Sequence, residues 1–371
     1  LRWYNNFVTL QKILASMKQH TIEILNQWRA LKPQREAVKD RLMRKFSIEF
    51  NYNSNHIEGN TLTYGQTEAL LLFGKVIGEA KMFDLEEMKA HNIGLKMVLA
   101  EAVTDNPLTE TFIRQLHKTL LREDYKVYRN LHGGLSTEYT IHAGRYKTRP
   151  NSVITPSGER FEYASPEETP ALMSDLIQWY REEEGKGELS PLELASLFHY
   201  RYIRIHPFED GNGRIARLMM NFILARHDYP LIIVPSKGKR QYLETLSKVD
   251  MAVGKSPSDG ANATVGQAKP FVDYMERLMA IEMRTDIAVA DSKSGQWWYN
   301  GGWVAFDNQT TIGLIRAIQD NPFVTIKKLS EILGINTSAV QKQVKALQNK
   351  GYLVREGSRI KGKWNVLLTQ L

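Results

Sequence analysis

Residues 206–217 read His-Pro-Phe-Glu-Asp-Gly-Asn-Gly-Arg-Ile-Ala-Arg, and they constrain the chain more than any other stretch. Gly211 and Gly213 bracket Asn212, and helical periodicity begins directly after them. Glycines at such a turn let consecutive backbone N–H groups face one anion at the positive end of a helix. The helix has two faces. Ile215, Leu218, Met219 and Phe222 fall at apolar helical spacing, while Arg214, Arg217 and Asn221 share another face. Two arginines in a first helical turn oppose the macrodipole, and a phosphate chain between them resolves the conflict. Asp210 adds a hard oxygen ligand that suits the Mg2+ travelling with phosphates. His206 stands just upstream, placed to accept a proton from an attacking hydroxyl. Singly, each part has an ordinary reading as a turn histidine, a loop or a surface ion pair. In this order and spacing they read as a place to hold a polyphosphate and transfer part of it.

The run resembles the signature of the Fic family, H-x-F-x-[DE]-G-N-G-R-x-x-R, and meets every specified position. Fic proteins mostly transfer AMP from ATP to a hydroxyl of a protein target. The resemblance implies that His206 is the general base and that Asp210 holds the metal bridging the nucleotide phosphates. It implies that Gly211, Asn212 and Gly213 cradle the phosphates. Arg214 and Arg217 would grip the triphosphate, Arg217 at its terminal part, and Phe208 would anchor the loop. Gly213 stands where kinase-like members carry Lys, which favours AMP transfer over phosphate transfer. The products would be an AMP-ester and pyrophosphate. Alternatives are transfer of UMP or another phosphate-linked group, removal of AMP from a modified target, and a nucleotide-sensing DNA-binding regulator.

A second segment agrees. Ser54-Asn-His-Ile-Glu58-Gly59-Asn60 resembles the family's inhibitory motif, [ST]-x-x-x-E-[GN]. Residues 33–58 read as a helix with Val38, Leu42, Phe46, Ile48 and Phe50 as apolar content, stopped by Gly59. Ser54 and Glu58, four apart, share one face. A carboxylate in a last helical turn is opposed by the dipole and wants a cation. The resemblance supplies one: Glu58 would pair with Arg217 and occupy the arginine that the γ-phosphate needs. Because this motif precedes the catalytic one, the chain resembles the subclass with an N-terminal inhibitory helix.

Residues 131–160 exchange helical periodicity for glycines, threonines and short alternation, which predicts a hairpin-like loop. In Fic proteins a β-hairpin flap lies over the nucleotide and pairs with the target backbone. His142–Pro150 sits where that flap is expected, with Gly144, Arg145 and Tyr146 as target-binding residues. Lys147 stands where many family flaps carry Arg. Tyr242, opening a later helix, either stacks on the adenine or is a core tyrosine with a satisfied hydroxyl.

The length of 371 residues predicts about two domains. An apolar share of 42% with 24% charged residues marks a folded chain rather than a disordered one. The absence of cysteine excludes disulfides, thiolate metal sites and cysteine nucleophiles. No bilayer-spanning apolar run and no signal peptide stand out, so no membrane partner is expected and the cytoplasm is the default compartment. The net charge of +8 is uneven: from Ala305 onward ten basic residues face four acidic ones. Such an excess suits a nucleic-acid surface or an ordinary soluble one.

The expected fold is mainly α. A Fic-type helical bundle with a small β-hairpin flap is followed by a winged helix-turn-helix. Helices are expected over 3–30, 67–73, 85–103, from Thr109, and over 166–184, 191–205, 240–249 and 270–290. The expected regions are 1–104 with the inhibitory helix, a catalytic core at 105–290, a linker at 291–308 and a winged-helix domain at 309–371. In the tail, 310–319, 325–333 and a third helix capped by Asn336 or Thr337 precede two alternating wing strands. Ser338, Gln341, Lys342 and Lys345 would form the outward face of the third helix, for DNA or for docking or dimerisation. Expected partners are ATP, a protein target with an exposed hydroxyl, DNA through the tail, and a second copy of the chain.

Overall fold

The computed structural model describes residues 18–130, 136–154, 160–291, 296–300, 302–306, 308–357 and 362–368. The helix expected over 3–30 is described only from its later part. The elements run α1 (Gln19–Ala30), α2 (Lys32–Ala37), α3 (Lys39–Ile57), α4 (Tyr64–Phe73), α5 (Met82–Ala102) and α6 (Glu110–Leu121). Two hairpins follow, β1 (Tyr125–Asn130) with β2 (Ser136–Ile141) and β3 (Ser152–Ile154) with β4 (Arg160–Glu162). Then come α7 (Thr169–Lys186), α8 (Pro191–Ile205), α9 (Asn212–Arg226), α10 (Lys239–Val253), α11 (Pro257–Ala261) and α12 (Val265–Asp291). A hairpin of β5 (Gln296–Tyr299) and β6 (Gly302–Ala305) precedes α13 (Gln309–Asp320), α14 (Ile326–Leu333), α15 (Thr337–Asn349), β7 (Leu353–Glu356) and β8 (Lys363–Val366). The fold is the expected helical bundle with small hairpins and a separate C-terminal helix-turn-helix domain. The chain divides into two compact units. One is drawn from residues up to Ala30 and from Phe46–Thr285, the other from Leu31–Lys45 and from Asp286 onward.

In the first unit α8 and α9 are central. Ile215, Leu218, Met219 and Phe222 are fully buried, and so are the residues between them, Ala216, Arg217 and Met220. A helix buried all round must give each polar side chain a partner. Asn221 shows how: its Nδ2 donates to Ile232 O at 2.9 Å and its Oδ1 accepts from Ile232 N–H at 2.8 Å. That side chain pins a loop, although it shares a face with the two arginines. The start of α8 is set by a Ser190–Glu193 capping box with Pro191 in the first turn. Its end is His206, at φ 51 and ψ 60.

Three elements differ from expectation. The helix read over 33–58 is broken at Val38 into α2 and α3. The helix read from Pro270 starts five residues earlier, and Pro270 lies inside α12. The stretch read as a linker carries β5 and β6, and Trp297, 0% exposed, belongs to the core of the second unit with Leu314, Ile315 and Leu329. In that unit the side chain of Asn336 caps α15 by accepting from Ala339 N–H at 2.8 Å, and Gly334 ends α14 at φ 63. Ser338, Gln341, Lys342 and Lys345 are exposed on α15, as its apolar spacing requires. Among the described residues no helix is long and apolar enough to cross a membrane.

Candidate active site

The loop from His206 to Gly211 joins the end of α8 to the start of α9, and one side chain closes it. Asn212 Oδ1 accepts from Phe208 N–H at 3.0 Å, and its Nδ2 donates to Phe208 O at 2.7 Å. Phe208 is fully buried and stacks on His117, ring centroids 3.7 Å apart and 3° from parallel. Gly211, at φ 80, is the residue before the first helical turn. Only glycine adopts that conformation without strain.

Arg217 is 1% exposed. Its Nε donates to Ser54 Oγ at 3.0 Å, and its Nη2 donates to Ser54 O at 2.9 Å and to Glu58 Oε1 at 2.6 Å. Ser54 and Glu58 thus meet the second motif arginine, 159 positions away in the case of Glu58, through a guanidinium that is buried and a carboxylate that is about a third exposed, 35%. The Glu58 carboxylate also lies directly over Gly213, where an added Cβ would collide with it. The glycine turn at the start of α9 therefore already faces an anion, supplied by the chain itself.

Arg214 is held by carboxylates too. It pairs with Glu87, and its Nη2 lies 3.1 Å from Asp210 Oδ2, while its buried Nε has no partner among the described residues. Burial alone would raise the Asp210 carboxyl, but Arg214 and the Tyr125 hydroxyl, donating at 2.9 Å, outweigh it and hold the group below its ordinary value. Burial wins at Glu87, which is raised despite Arg214. Among the described residues no cluster of three or more His, Asp or Glu side chains could hold a metal unaided. One carboxylate beside a phosphate nest still fits Mg2+, which binds one or two carboxylates and takes its other ligands from phosphates and water.

His206 is half-buried. Burial, with the Lys147 ammonium adding to it and Asp210 opposing, pulls its imidazole down to about 3. It is therefore neutral at physiological pH. Tyr163 stacks on one ring face at 4.1 Å and 13°. Asn151 Nδ2 lies 2.8 Å and Asn212 Nδ2 3.1 Å from His206 Nδ1. Asn151 precedes β3 and Tyr163 follows β4, so both ends of the short second hairpin touch His206.

Gly144, Arg145 and Tyr146 lie in a turn between the hairpins rather than on a strand. Gly144 N–H donates to His117 Nδ1 at 2.8 Å, and its carbonyl accepts from Arg114 Nε at 2.9 Å. Tyr146 donates to Glu110 Oε2 at 2.7 Å and packs against Phe208. Tyr242 is 3% exposed, with its hydroxyl 2.9 Å from His199 Nε2 and its ring near Phe271 and Tyr274.

Several side chains reach the motif that no sequence pattern marks. His117 bridges the turn and the loop, since its Nε2 lies 3.1 Å from Asp210 O, and burial pulls it down to about 4. His91, in α5, touches Ser54 Oγ through Nε2 at 3.0 Å and Asn51 Oδ1 through Nδ1 at 2.6 Å. Glu87, Asn151 and Tyr163 complete the set. None stands at a fixed offset from residues 206–217, so tertiary folding alone brings them there.

The profile described as the Fic/DOC family matches residues 107–224, and one described as winged helix-turn-helix DNA-binding matches residues 307–354. Protein adenylyltransferase fic-1 of Caenorhabditis briggsae is 26% identical over 262 residues, 71% of this chain and 45% of that protein. The chain spans less than half the length of the first such curated relatives. A Fic family protein from Desulfovibrio desulfuricans shares the fold at 19% identity, with a TM-score of 0.55 over 94% of this chain and 96% of that one. The crystal structure of a Fic-domain-containing signaling protein from Bacteroides thetaiotaomicron is 50% identical, with a TM-score of 0.68, over 74% of this chain and 97% of that one. Identity at that level across nearly the whole of that protein, with the Fic motif folded around Asn212 and Phe208, makes this chain a member of the Fic family with a C-terminal winged-helix domain.

Proposed function

We propose that the chain transfers AMP from ATP to a Ser, Thr or Tyr hydroxyl of a protein target and of itself, and that Glu58 restrains the transfer. The observation that carries this reading is the Arg217–Glu58 pair at 2.6 Å, with the carboxylate over Gly213. An anion already seated on the glycine turn and on the buried arginine supports a phosphate site there. In the reaction the target oxygen bonds to the α-phosphorus, the α–β phosphoanhydride bond breaks, and pyrophosphate leaves. His206 takes the hydroxyl proton. Backbone N–H groups at Gly211–Gly213 and the guanidinium of Arg214 stabilise the charge that develops on the phosphate oxygens. Arg217, once free of Glu58, holds the γ-phosphate and so sets the pose of the chain of phosphates. Asp210 would hold Mg2+, which would partly neutralise the phosphate charge when bound. The edges of the β3–β4 hairpin, whose ends touch His206, would pair with the target backbone.

A second reading is removal of AMP. Glu58, lying over Gly213, would aim a water at the phosphorus of an AMP-ester, releasing AMP and the free hydroxyl, so the carboxylate that restrains transfer would serve hydrolysis.

The test is Glu58→Gly with α-labelled ATP. Label should enter the protein at least about tenfold faster than in the wild type, within the usual span of site couplings. Arg217→Ala in that background should cancel the gain, and His206→Ala should abolish transfer while leaving ATP binding largely intact. A folded Glu58→Gly protein that is no faster, with Arg217 still required, sinks the restraint. Label entering only from γ-labelled ATP sinks AMP transfer itself.

A further inference from the structure

We propose that Lys147 and Asn151 are positioning residues that hold His206 in the neutral form carrying its proton on Nε2, a role that builds on reading His206 as the proton-transfer group. Lys147 is 3% exposed, and its ammonium uses all three donors. They reach Ile205 O at 3.1 Å, His206 O at 2.9 Å and Asn151 Oδ1 at 2.8 Å. Its backbone N–H also donates to Pro207 O at 2.9 Å. The two carbonyls close α8, where helical carbonyls lack partners and the dipole favours a cation. Lys147 thus caps α8 from a distant segment and holds the chain where His206 turns to φ 51.

The third contact orients an amide. With Oδ1 facing the ammonium, the NH2 of Asn151 must point the other way, to His206 Nδ1 at 2.8 Å and Phe208 O at 2.9 Å. The amide of Asn212 is fixed likewise by its two bonds with Phe208, and its NH2 lies 3.1 Å from the same ring nitrogen. Two donors face Nδ1, so Nδ1 accepts and the ring proton sits on Nε2. A ring in this form donates at Nε2. To take a target proton there, it must first move its own proton to Nδ1, which then needs an oxygen facing it. Asn151 supplies that oxygen by turning over, and the Lys147 ammonium resists the turn through its charge-assisted bond to Oδ1. The pair therefore sets how readily His206 acts as a base. This restraint lies on the proton side of the reaction, apart from the restraint of Glu58 on the phosphate side.

The experiment is long-range 1H–15N NMR of the full chain labelled at histidine nitrogens, with His206→Ala identifying the resonances. Wild type should show His206 bare at Nδ1 and protonated at Nε2. Asn151→Asp puts oxygen on both branches and keeps the Lys147 contact, so it should move the proton to Nδ1. Lys147→Arg should keep the wild-type pattern, and Lys147→Met should give a mixture. A wild-type ring protonated at Nδ1 overturns the proposal even if the variants fail to fold. A folded Asn151→Asp protein with an unchanged tautomer overturns it as well. In the Glu58→Gly background, Asn151→Asp should raise kcat several-fold with little change in KM for ATP, whereas a lower kcat with the tautomer shifted removes the link to catalysis. Should His206→Ala transfer AMP at the wild-type rate, the reading of His206 fails, and the spectrum still decides what sets the tautomer.

Discussion

Each motif arginine of the resting molecule has a carboxylate in contact: Arg217 has Glu58, and Arg214 has Glu87 and Asp210. On the proposed function an incoming nucleotide would have to displace or share these carboxylates, and Asp210 is the one suited to share a metal, because its neighbours hold it below its ordinary value. Asp210→Ala is expected to lower AMP transfer and to flatten its dependence on magnesium, read from a magnesium titration of labelled-AMP incorporation. Unchanged metal dependence would move the metal elsewhere. The grouping of His206, Asp210, Arg214 and Arg217 in one site was legible because the motif is contiguous, and each residue type suits one of the proposed chemical tasks. Lys147 was legible only as a departure from a pattern. Asn151 and His117 were not legible at all, because a lone Asn or His carries no signal until folding places it against the motif. Tyr242 had two sequence readings, and its ring is packed beside His199, Phe271 and Tyr274.

Among the elements, α3 depends on α5 as much as on α9. A continuous chain of buried bonds runs from Asn51 through His91 and Ser54 to Arg217. Burial pushes His91 well down, so the ring is neutral and can donate at one nitrogen while accepting at the other. His91→Leu breaks the chain and leaves Asn51 and Ser54 short of a partner, a loss of roughly 1–3 kcal/mol for a buried polar group. Urea denaturation should show that loss, and AMP transfer should rise as Ser54 loosens its hold on Arg217. A variant as stable and as slow as wild type would make His91 irrelevant to the restraint. Helices were legible where caps and apolar spacing agreed, as at Ser190 and Thr325, whose side chains accept from the third residue on. They were misread where one residue type admits two places. Pro270 reads as a helix start, its commonest position, yet α12 carries it within a turn and a half of its N-terminus. Residues 291–308 read as a linker, and no periodicity there signals the hairpin that places Trp297 in the core.

For the whole molecule, acid is the condition to avoid. Burial pulls His117 to about 4 and His199 and His206 to about 3. The unfolded chain takes up these protons below about 6.5, and the folded chain does so only near those lower values. Their contribution is therefore present above about 6.5 and is lost as pH falls towards about 3. The urea midpoint at pH 5 should lie below that at pH 7, and an equal or higher midpoint would show that these rings are charged in the native protein. The exposed Lys342 and Lys345 of α15 allow a separate test of the tail. If that face meets DNA, binding to duplex should weaken with salt, and replacing both lysines with Ala should reduce the salt slope by about one per lysine. Salt-independent binding or none would leave docking or dimerisation for the domain.

The seat of Glu58 over Gly213 has a thermodynamic corollary. On the proposed function its carboxylate would be a tethered competitor whose local concentration is fixed by the chain, whereas the nucleotide's varies. A γ-phosphate that took Arg217 would displace the Glu58 carboxylate, and by reciprocity a partner that favoured the displaced form would tighten the hold on a γ-phosphate. Amide exchange at residues 54–60 would then report nucleotide occupancy from outside the catalytic loop. The same protein would read the supply of ATP and the presence of a partner as one summed free energy.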